Sequence, residues 1–429
     1  MAQQQPEVRV CPGPGIFSLS KFIGEFHFLL NRVTQITPDN ENIAYMNLNR
    51  HQTPFIIALG LAVISFVIAV GITVINSVKH AGLFYIFFFI ALAIGCYGYK
   101  QLKGFTYTMI ILAAVVLALY YPQYFIQWHG YRFTSLITPL LQLIMFGMGT
   151  SMSIKDFAGV AKMPKGVFIG VLSHFLVMPL IGFCLASLSG LPAEIAAGII
   201  LIGCSPNGMA SNVISYLAKA NLALSITITA VSTLLAPIMT PLLMKLYAGA
   251  LIKIDVPDMM LGIVKMVILP IGIGLVFNHF LSGKAKWLDK SMPILSMAGI
   301  TCTIIIITTA GRDSLLSIGP LLLLIVLVHN LLGYALGYGA GRLFRMPERD
   351  CRTVAIEVGM QNGSLASGIA KELGKIATVG LAPAIFGPLM NITGSMLASY
   401  WHNKPIPDKG LTGDVKRYPV SINNRNTSI

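Results

Sequence analysis

The 429-residue chain is 55% hydrophobic and only 11% charged, with a mean hydropathy of +0.75. A soluble domain carries roughly 25% charged residues, so most of this chain does not face water. Its formal net charge of +14 is spread over short connectors rather than gathered with aromatics on one patch, which argues against a nucleic-acid partner and for the basic loops of a polytopic membrane protein.

Residues 1–53 form a polar tail. No basic stretch followed by an apolar run opens it, and Glu7, Glu25, Asp39 and Glu41 are acidic, so it reads neither as a cleaved signal peptide nor as a transit peptide. Phe22, Phe26, Leu29, Leu30 and Val33 fall near helical spacing among Lys21, Glu25 and Arg32, which makes 17–33 a candidate interfacial helix. The alternative is an unstructured tail with scattered aromatics.

Apolar stretches of near-spanning length follow at 55–78, 82–99, 104–121, 133–150, 166–188, 194–216, 222–246, 259–281, 293–310, 316–343, 353–369 and 377–400, since about 20 residues cross the hydrocarbon core. Alternate connectors are the more basic, with Lys100 and Lys103; Lys155, Lys162 and Lys165; Lys219; Lys284, Lys286 and Lys290; and Arg342, Arg345, Arg349 and Arg352, against Lys79, Arg132, Lys245, Lys253, Arg312, Lys371 and Lys375 in the opposite connectors. This asymmetry predicts a multi-pass protein of the cell (inner) membrane with both termini cytoplasmic. The six cysteines (Cys11, Cys96, Cys184, Cys204, Cys302, Cys351) show no metal-ligand spacing and read as buried or lipid-facing thiols.

Two spans are interrupted. Residues 203–212 place Pro206, Asn207, Gly208, Ser211 and Asn212 inside apolar sequence, and 357–365 do the same with Glu357, Gln361, Asn362 and Gly363. Irregular backbone at membrane depth survives only where protein or a water-filled cavity satisfies it. Such paired interruptions mark secondary-transporter binding sites. Each interruption lies in the fourth span of a five-span unit, one from about 104 to 246 and one from 259 to 400, and an odd number of spans inverts the second unit. The expected fold is therefore all-α and polytopic: two inverted five-helix repeats with broken, crossing fourth helices, plus two extra N-terminal transmembrane helices. The domains are a 1–53 cytoplasmic tail, 54–103 with the extra helices, a ten-helix unit at 104–401, and a cytoplasmic tail at 402–429.

Glu357 is the one acidic residue well inside a span, a costly placement that signals function. Ser211 and Asn212 follow the first break, and Ser225 and Thr229 lie four apart on one face of the next span. One carboxylate with these neutral oxygens suits Na⁺; interhelical hydrogen bonding is the bland alternative. Gln361 and the backbone of Val358 and Met360 supply oxygens for a second ion. His174 is an intramembrane imidazole able to carry a proton near neutral pH. No P-loop, HExxH or GxSxG signature occurs, which lowers the prior for ATP-driven transport or an enzyme.

From about 106 to 401 the chain resembles the bile acid:sodium symporter (BASS) family, most closely its bacterial members. The resemblance rests on Phe146-Gly147-Met148-Gly149, Met178-Pro179, the 203–212 run, Asn221-Leu222-Ala223-Leu224-Ser225, His329-Asn330 and Glu357-Val358-Gly359-Met360-Gln361-Asn362. It implies a four-helix panel domain and a six-helix core domain whose broken helices cross at the midplane. It also implies one sodium held by Ser211, Asn212, Ser225, Thr229 and Glu357, and a second held by Glu357, Val358, Met360 and Gln361 with a glutamine that is His174 here. A neutral imidazole is a poorer Na⁺ ligand than an amide oxygen. Ser205-Pro206-Asn207-Gly208 stands where the family has Cys-Pro-Gly-Gly.

The function these readings imply is sodium-coupled symport of an organic anion by alternating access, with Na⁺ as coupling ion and no other cofactor. The anion is bile-acid-like or a smaller carboxylate such as pantoate or a keto acid, held near Asn207, Met209, Asn362 and Asn391. The chain is expected to be a monomer or weak oligomer in the lipid bilayer. A proton- or mixed-coupled carrier using His174 is the first alternative; a non-transporting membrane sensor or partner-binding protein is the second.

Overall fold

Long apolar stretches without ladder-forming alternation fold as helices, because in lipid every backbone group must be satisfied within its own segment. A computed structural model of the chain describes residues 53–75, 78–99, 102–153, 156, 159–281 and 286–405. The expected interfacial helix at 17–33 and most of the 402–429 tail lie outside them. The helices are α1 (Thr53–Val74), α2 (Val78–Tyr97), α3 (Thr106–Tyr120), α4 (Ile137–Ser151), α5 (Pro164–Leu188), α6 (Ala193–Cys204), α7 (Ala210–Leu217), α8 (Leu222–Ala248), α9 (Val256–Ile263), α10 (Leu269–Leu281), α11 (Lys286–Ala310), α12 (Arg312–Leu343), α13 (Glu348–Gly359), α14 (Gly363–Glu372) and α15 (Leu381–His402). A π-helical turn at Val264–Ile268 joins α9 to α10, and a two-residue hairpin (β1, Gln127–Trp128; β2, Tyr131–Arg132) lies between α3 and α4.

Among the described residues nine helices are long and apolar enough to cross a membrane, with α9 and α10 counted as one. The stretch read as a span at 104–121 is a shorter helix, α3, of 15 residues. The stretches at 194–216 and 353–369 are each two helices, α6 with α7 and α13 with α14. Serine and proline end α6, since Ser205 turns to extended backbone and Pro206 brings no N–H. Met360 does the same after α13.

The two broken helices are built alike. α6 and α13 each have 12 residues and each begin after an extended proline, Pro192 or Pro347. α7 and α14 each end in a left-handed residue, Lys219 at φ 54° and Gly374 at φ 69°, with an N–H reaching back five residues, Ala220 to Ser215 and Lys375 to Ala370. The start of α6 is fastened to the turn after α14, where Lys375 pairs with Glu194 and Thr378 Oγ1 donates to Glu194 Oε2 at 2.6 Å. The start of α13 is fastened to the turn after α7, where Asn221 N donates to Thr353 Oγ1 at 2.9 Å and Asn221 Nδ2 to Asp350 Oδ1 at 2.8 Å. The pairs therefore run in opposite directions and cross between these two ends.

At the crossing the chains meet as a minimal antiparallel bridge, Asn207 opposite Gln361. Asn362 N donates to Pro206 O at 2.8 Å and Gly208 N to Met360 O at 3.4 Å. α6 is buried on every side from Ile195 to Cys204, as a helix apolar all round requires. Around it pack α5, α8 and α15, while α12 packs on α13 and α5; α3 packs on α11, α11 on α4, and α4 on α10. Close contact of α4 with α10 depends on glycine, because a Cβ at Gly149 would lie 2.2 Å from Ile271 O and one at Gly274 2.4 Å from Phe146 O. α2 packs on α1 and α3.

Candidate functional site

Breaking a helix frees carbonyls that must be satisfied. Thr240 Oγ1 of α8 donates to Cys204 O at 2.8 Å, and Asn330 Nδ2 of α12 donates to Gly359 O at 2.8 Å. Thr393 Oγ1 of α15 holds Asn330 in place by donating to its Oδ1 at 2.6 Å. Neighbouring helices thus cap both half-helix ends.

Beside the crossing stands Glu357, fully buried. Ser225 Oγ lies 2.5 Å from its Oε1 and Thr229 Oγ1 2.9 Å from its Oε2. Both hydroxyls also approach Asn212 Oδ1, at 2.8 Å and 3.3 Å. Ser211 Oγ is 3.4 Å from Thr229 Oγ1 and donates to Gly208 O at 2.8 Å. The structure therefore brings Ser211, Asn212, Ser225, Thr229 and Glu357 together. Each hydroxyl has one proton, so Ser225 and Thr229 cannot satisfy Asn212 Oδ1 and both carboxylate oxygens at once. No ion pair of Glu357 occurs among the described residues. A buried carboxylate in a shell of excess oxygen acceptors fits a hard cation, which supplies the missing charge.

On the other side of Glu357 the geometry differs. His174 is fully buried, with Nδ1 3.2 Å from Glu357 O and Nε2 2.8 Å from Ser205 O. Asn207 Nδ2 also donates to Glu357 O. Gln361 Nε2 donates to Val358 O at 2.9 Å. The backbone oxygens of Glu357 and Val358 thus have side-chain partners, while Asn207 Oδ1 and Gln361 Oε1 have none among the described residues.

A cavity of about 390 Å³ opens beside the crossing. Met209, Asn362 and Asn391 line it, together with Gly208 and Gln361. Asn207 is not among the lining residues; its amide is turned to the Glu357 carbonyl instead. Sequence reading missed Tyr107, Thr108, Ser296, Thr303 and Ser367, which bring hydroxyls to the wall. Single hydroxyls on apolar helices give no signal, because most simply bond their own helix, as Thr303 does to Gly299 O and Ser367 to Gly363 O. Among the described residues no charged side chain lines the cavity; its apolar wall is chiefly Met and Ile, and the first residues of α7 and α14 face it.

Residues 138–318 match the model of the Sodium Bile acid symporter family. The chain is similar to the uncharacterized sodium-dependent transporter YocS of Bacillus subtilis (strain 168), with 38% identity over 306 residues that cover 71% of this chain and 93% of that protein. It is similar to a probable chloroplastic sodium/metabolite cotransporter, BASS1, of Oryza sativa subsp. japonica, with 31% identity over 75% of this chain and 80% of the relative. The ileal sodium/bile acid cotransporter of Oryctolagus cuniculus is 36% identical over 56% of this chain and 69% of its own length.

Proposed function

The chain belongs to the sodium bile acid symporter family, and we propose that it carries an organic anion across the membrane coupled to one sodium ion held at Glu357, by alternating access. The family is one of membrane transporters, not of enzymes. The observation that carries the reading is the Glu357 cage: a fully buried carboxylate with Ser225 and Thr229 hydroxyls on its two oxygens and, among the described residues, no cationic side chain paired to it.

Sodium occupancy neutralises the cage and draws Ser211 and Asn212 of α7, Ser225 and Thr229 of α8 and Glu357 of α13 into one shell. The ion thereby links the two broken helices. The anion occupies the neighbouring cavity, where the N-terminal ends of α7 and α14 favour a carboxylate and the Met- and Ile-rich wall favours an apolar body. With no basic side chain in the wall, affinity depends on these dipoles and on the ion close by. The panel is then α3, α4, α9 with α10, and α11; the core is the remainder from α5 onward, and the two groups rock about the cavity between them. The basic connectors orient both termini to the cytoplasm.

Thermal unfolding of the detergent-solubilised protein, screened against organic anions with and without Na⁺, tests the reading. A substrate should raise the unfolding temperature more in Na⁺ than in K⁺, because a ligand bound only to the folded state stabilises it by mass action. Stabilisation identical in Na⁺ and K⁺ for every anion that binds would contradict the coupling.

A single ion follows from His174, whose ring engages the carbonyls of Ser205 and Glu357. Initial uptake rates should rise with Na⁺ with a Hill coefficient of about 1, and His174→Gln, by supplying an amide oxygen, should steepen the curve. An unchanged curve in the variant would remove His174 from the argument. The same contacts favour a second reading, since both ring nitrogens can donate to carbonyl oxygens only as imidazolium. A proton-coupled carrier requires uptake that varies with pH in the wild type and not in His174→Gln.

A further inference from the structure

A second cavity, of about 360 Å³, lies away from the ion cage, in a groove between α5 and α8. It arises because small residues draw the helices together along one line. A Cβ at Gly166 would come within 2.9 Å of Leu224, and one at Gly170 within 2.3 Å of Ile228. The larger side chains beside that line stand apart and leave the groove. Phe168, Leu172 and Phe175 of α5 form one wall, and Val231, Leu235 and Met239 of α8 the other. No polar side chain lines it, and Phe168 is 67% exposed. A groove so apolar, on helices long enough to cross a membrane, opens to lipid.

Its length and its charges say which lipid. From Pro164 to Phe175 the wall rises about 16 Å along the helix, close to half of the roughly 30 Å hydrocarbon core. That is the depth of one leaflet. At the foot stand Lys162 and Lys165, both exposed. Lys165 precedes Phe168 and Leu172 by three and seven residues and so lies on their stripe of α5. Neither lysine forms an ion pair among the described residues. The nearest acid in sequence, Asp156, is engaged by Ser153 N at 2.7 Å.

We propose that one acyl chain of an anionic phospholipid occupies this groove, with the headgroup phosphate on Lys162 and Lys165. The bound chain packs against α5 next to His174 and against α8 two residues beyond Thr229, so it braces the helices that border the ion cage. The site is separate from the transport reading and stands or falls without it.

Native mass spectrometry of the purified full chain, titrated with phosphatidylglycerol or with phosphatidylcholine of the same acyl composition, tests this. The wild type should retain one phosphatidylglycerol with roughly tenfold preference over phosphatidylcholine, since each lysine near an anionic surface contributes appreciably. The double substitution Lys162→Gln/Lys165→Gln should bring the two lipids to parity. Val171→Trp, which fills the groove and leaves the lysines intact, should remove the tightly retained lipid of either class. If Val171→Trp does not fold, the exposed lysine pair decides alone. A preference that survives the lysine substitutions, or one that is lost equally on Arg345→Gln/Arg349→Gln, would overturn the proposal.

Discussion

Sodium-stimulated uptake should fall at least about a hundredfold in Glu357→Gln, with the protein still folded. The carboxylate is the only formal charge in the cage, and its attraction for a cation about 4 Å away is roughly 4 kcal/mol at the effective dielectric of protein sites, near three decades in an equilibrium constant. Gln preserves the shape and keeps acceptor and donor atoms for Ser225 and Thr229, so packing is retained. In Na⁺-free buffer the variant should be at least as stable as the wild type, because it no longer buries a carboxylate without a counter-charge. Sodium should raise the unfolding temperature of the wild type and leave that of the variant unmoved. Uptake assays and thermal unfolding check both parts; a variant with normal sodium stimulation would remove Glu357 from the ion site.

Arg352→Met should destabilise the protein by about 3 kcal/mol, the lower end of what breaking a buried ion pair costs. Arg352 is only 2% exposed. Its Nε donates to Glu348 Oε1 at 2.9 Å, its Nη1 to Trp401 O at 3.1 Å and Ala218 O at 3.3 Å, and its guanidinium sits 5.7 Å from the Trp401 ring centre. One side chain thus closes the last turns of α7 and α15 onto the first turn of α13. The lower end applies because Glu348 keeps Tyr338 at 2.9 Å and Arg342 at 3.6 Å after the change. A lower unfolding temperature in detergent is the expected result; an unchanged temperature would show that the clamp carries no stability.

Arg352 also shows where sequence reading falls short. Counted with Arg342, Arg345 and Arg349, it passes for a loop cation, yet α13 begins at Glu348 and carries it inward. Charge alone does not separate a solvated arginine from one with carbonyl partners supplied by distant helices. The two breaks were legible, because Pro206 and the polar residues 361–363 interrupt otherwise apolar stretches and few arrangements satisfy such backbone. The residues that cap those breaks were not. Thr240 lies 36 residues from Cys204 and Asn330 29 from Gly359, and nothing local distinguishes them from hydroxyls and amides that bond their own helix. Asn207 was read toward the cavity because it stands where the resembled family has a glycine at the first break, but its amide nitrogen has a carbonyl acceptor on the other broken helix. Contacts that join two crossing chains depend on tertiary structure, and spacing does not reveal them. Glu357 stood out as the one acidic residue well inside a span, whereas Ser225 and Thr229 were read with it only from their four-residue spacing, since Thr227, Ser232 and Thr233 share their helix.

Direct sodium binding to the purified protein, measured by isothermal titration calorimetry at fixed ionic strength with the wild type and Glu357→Gln side by side, tests the central claim most directly. One saturable site per chain in the wild type and none in the variant is the result expected from the cage. Equal sodium binding in both proteins, or none in the wild type, would contradict it.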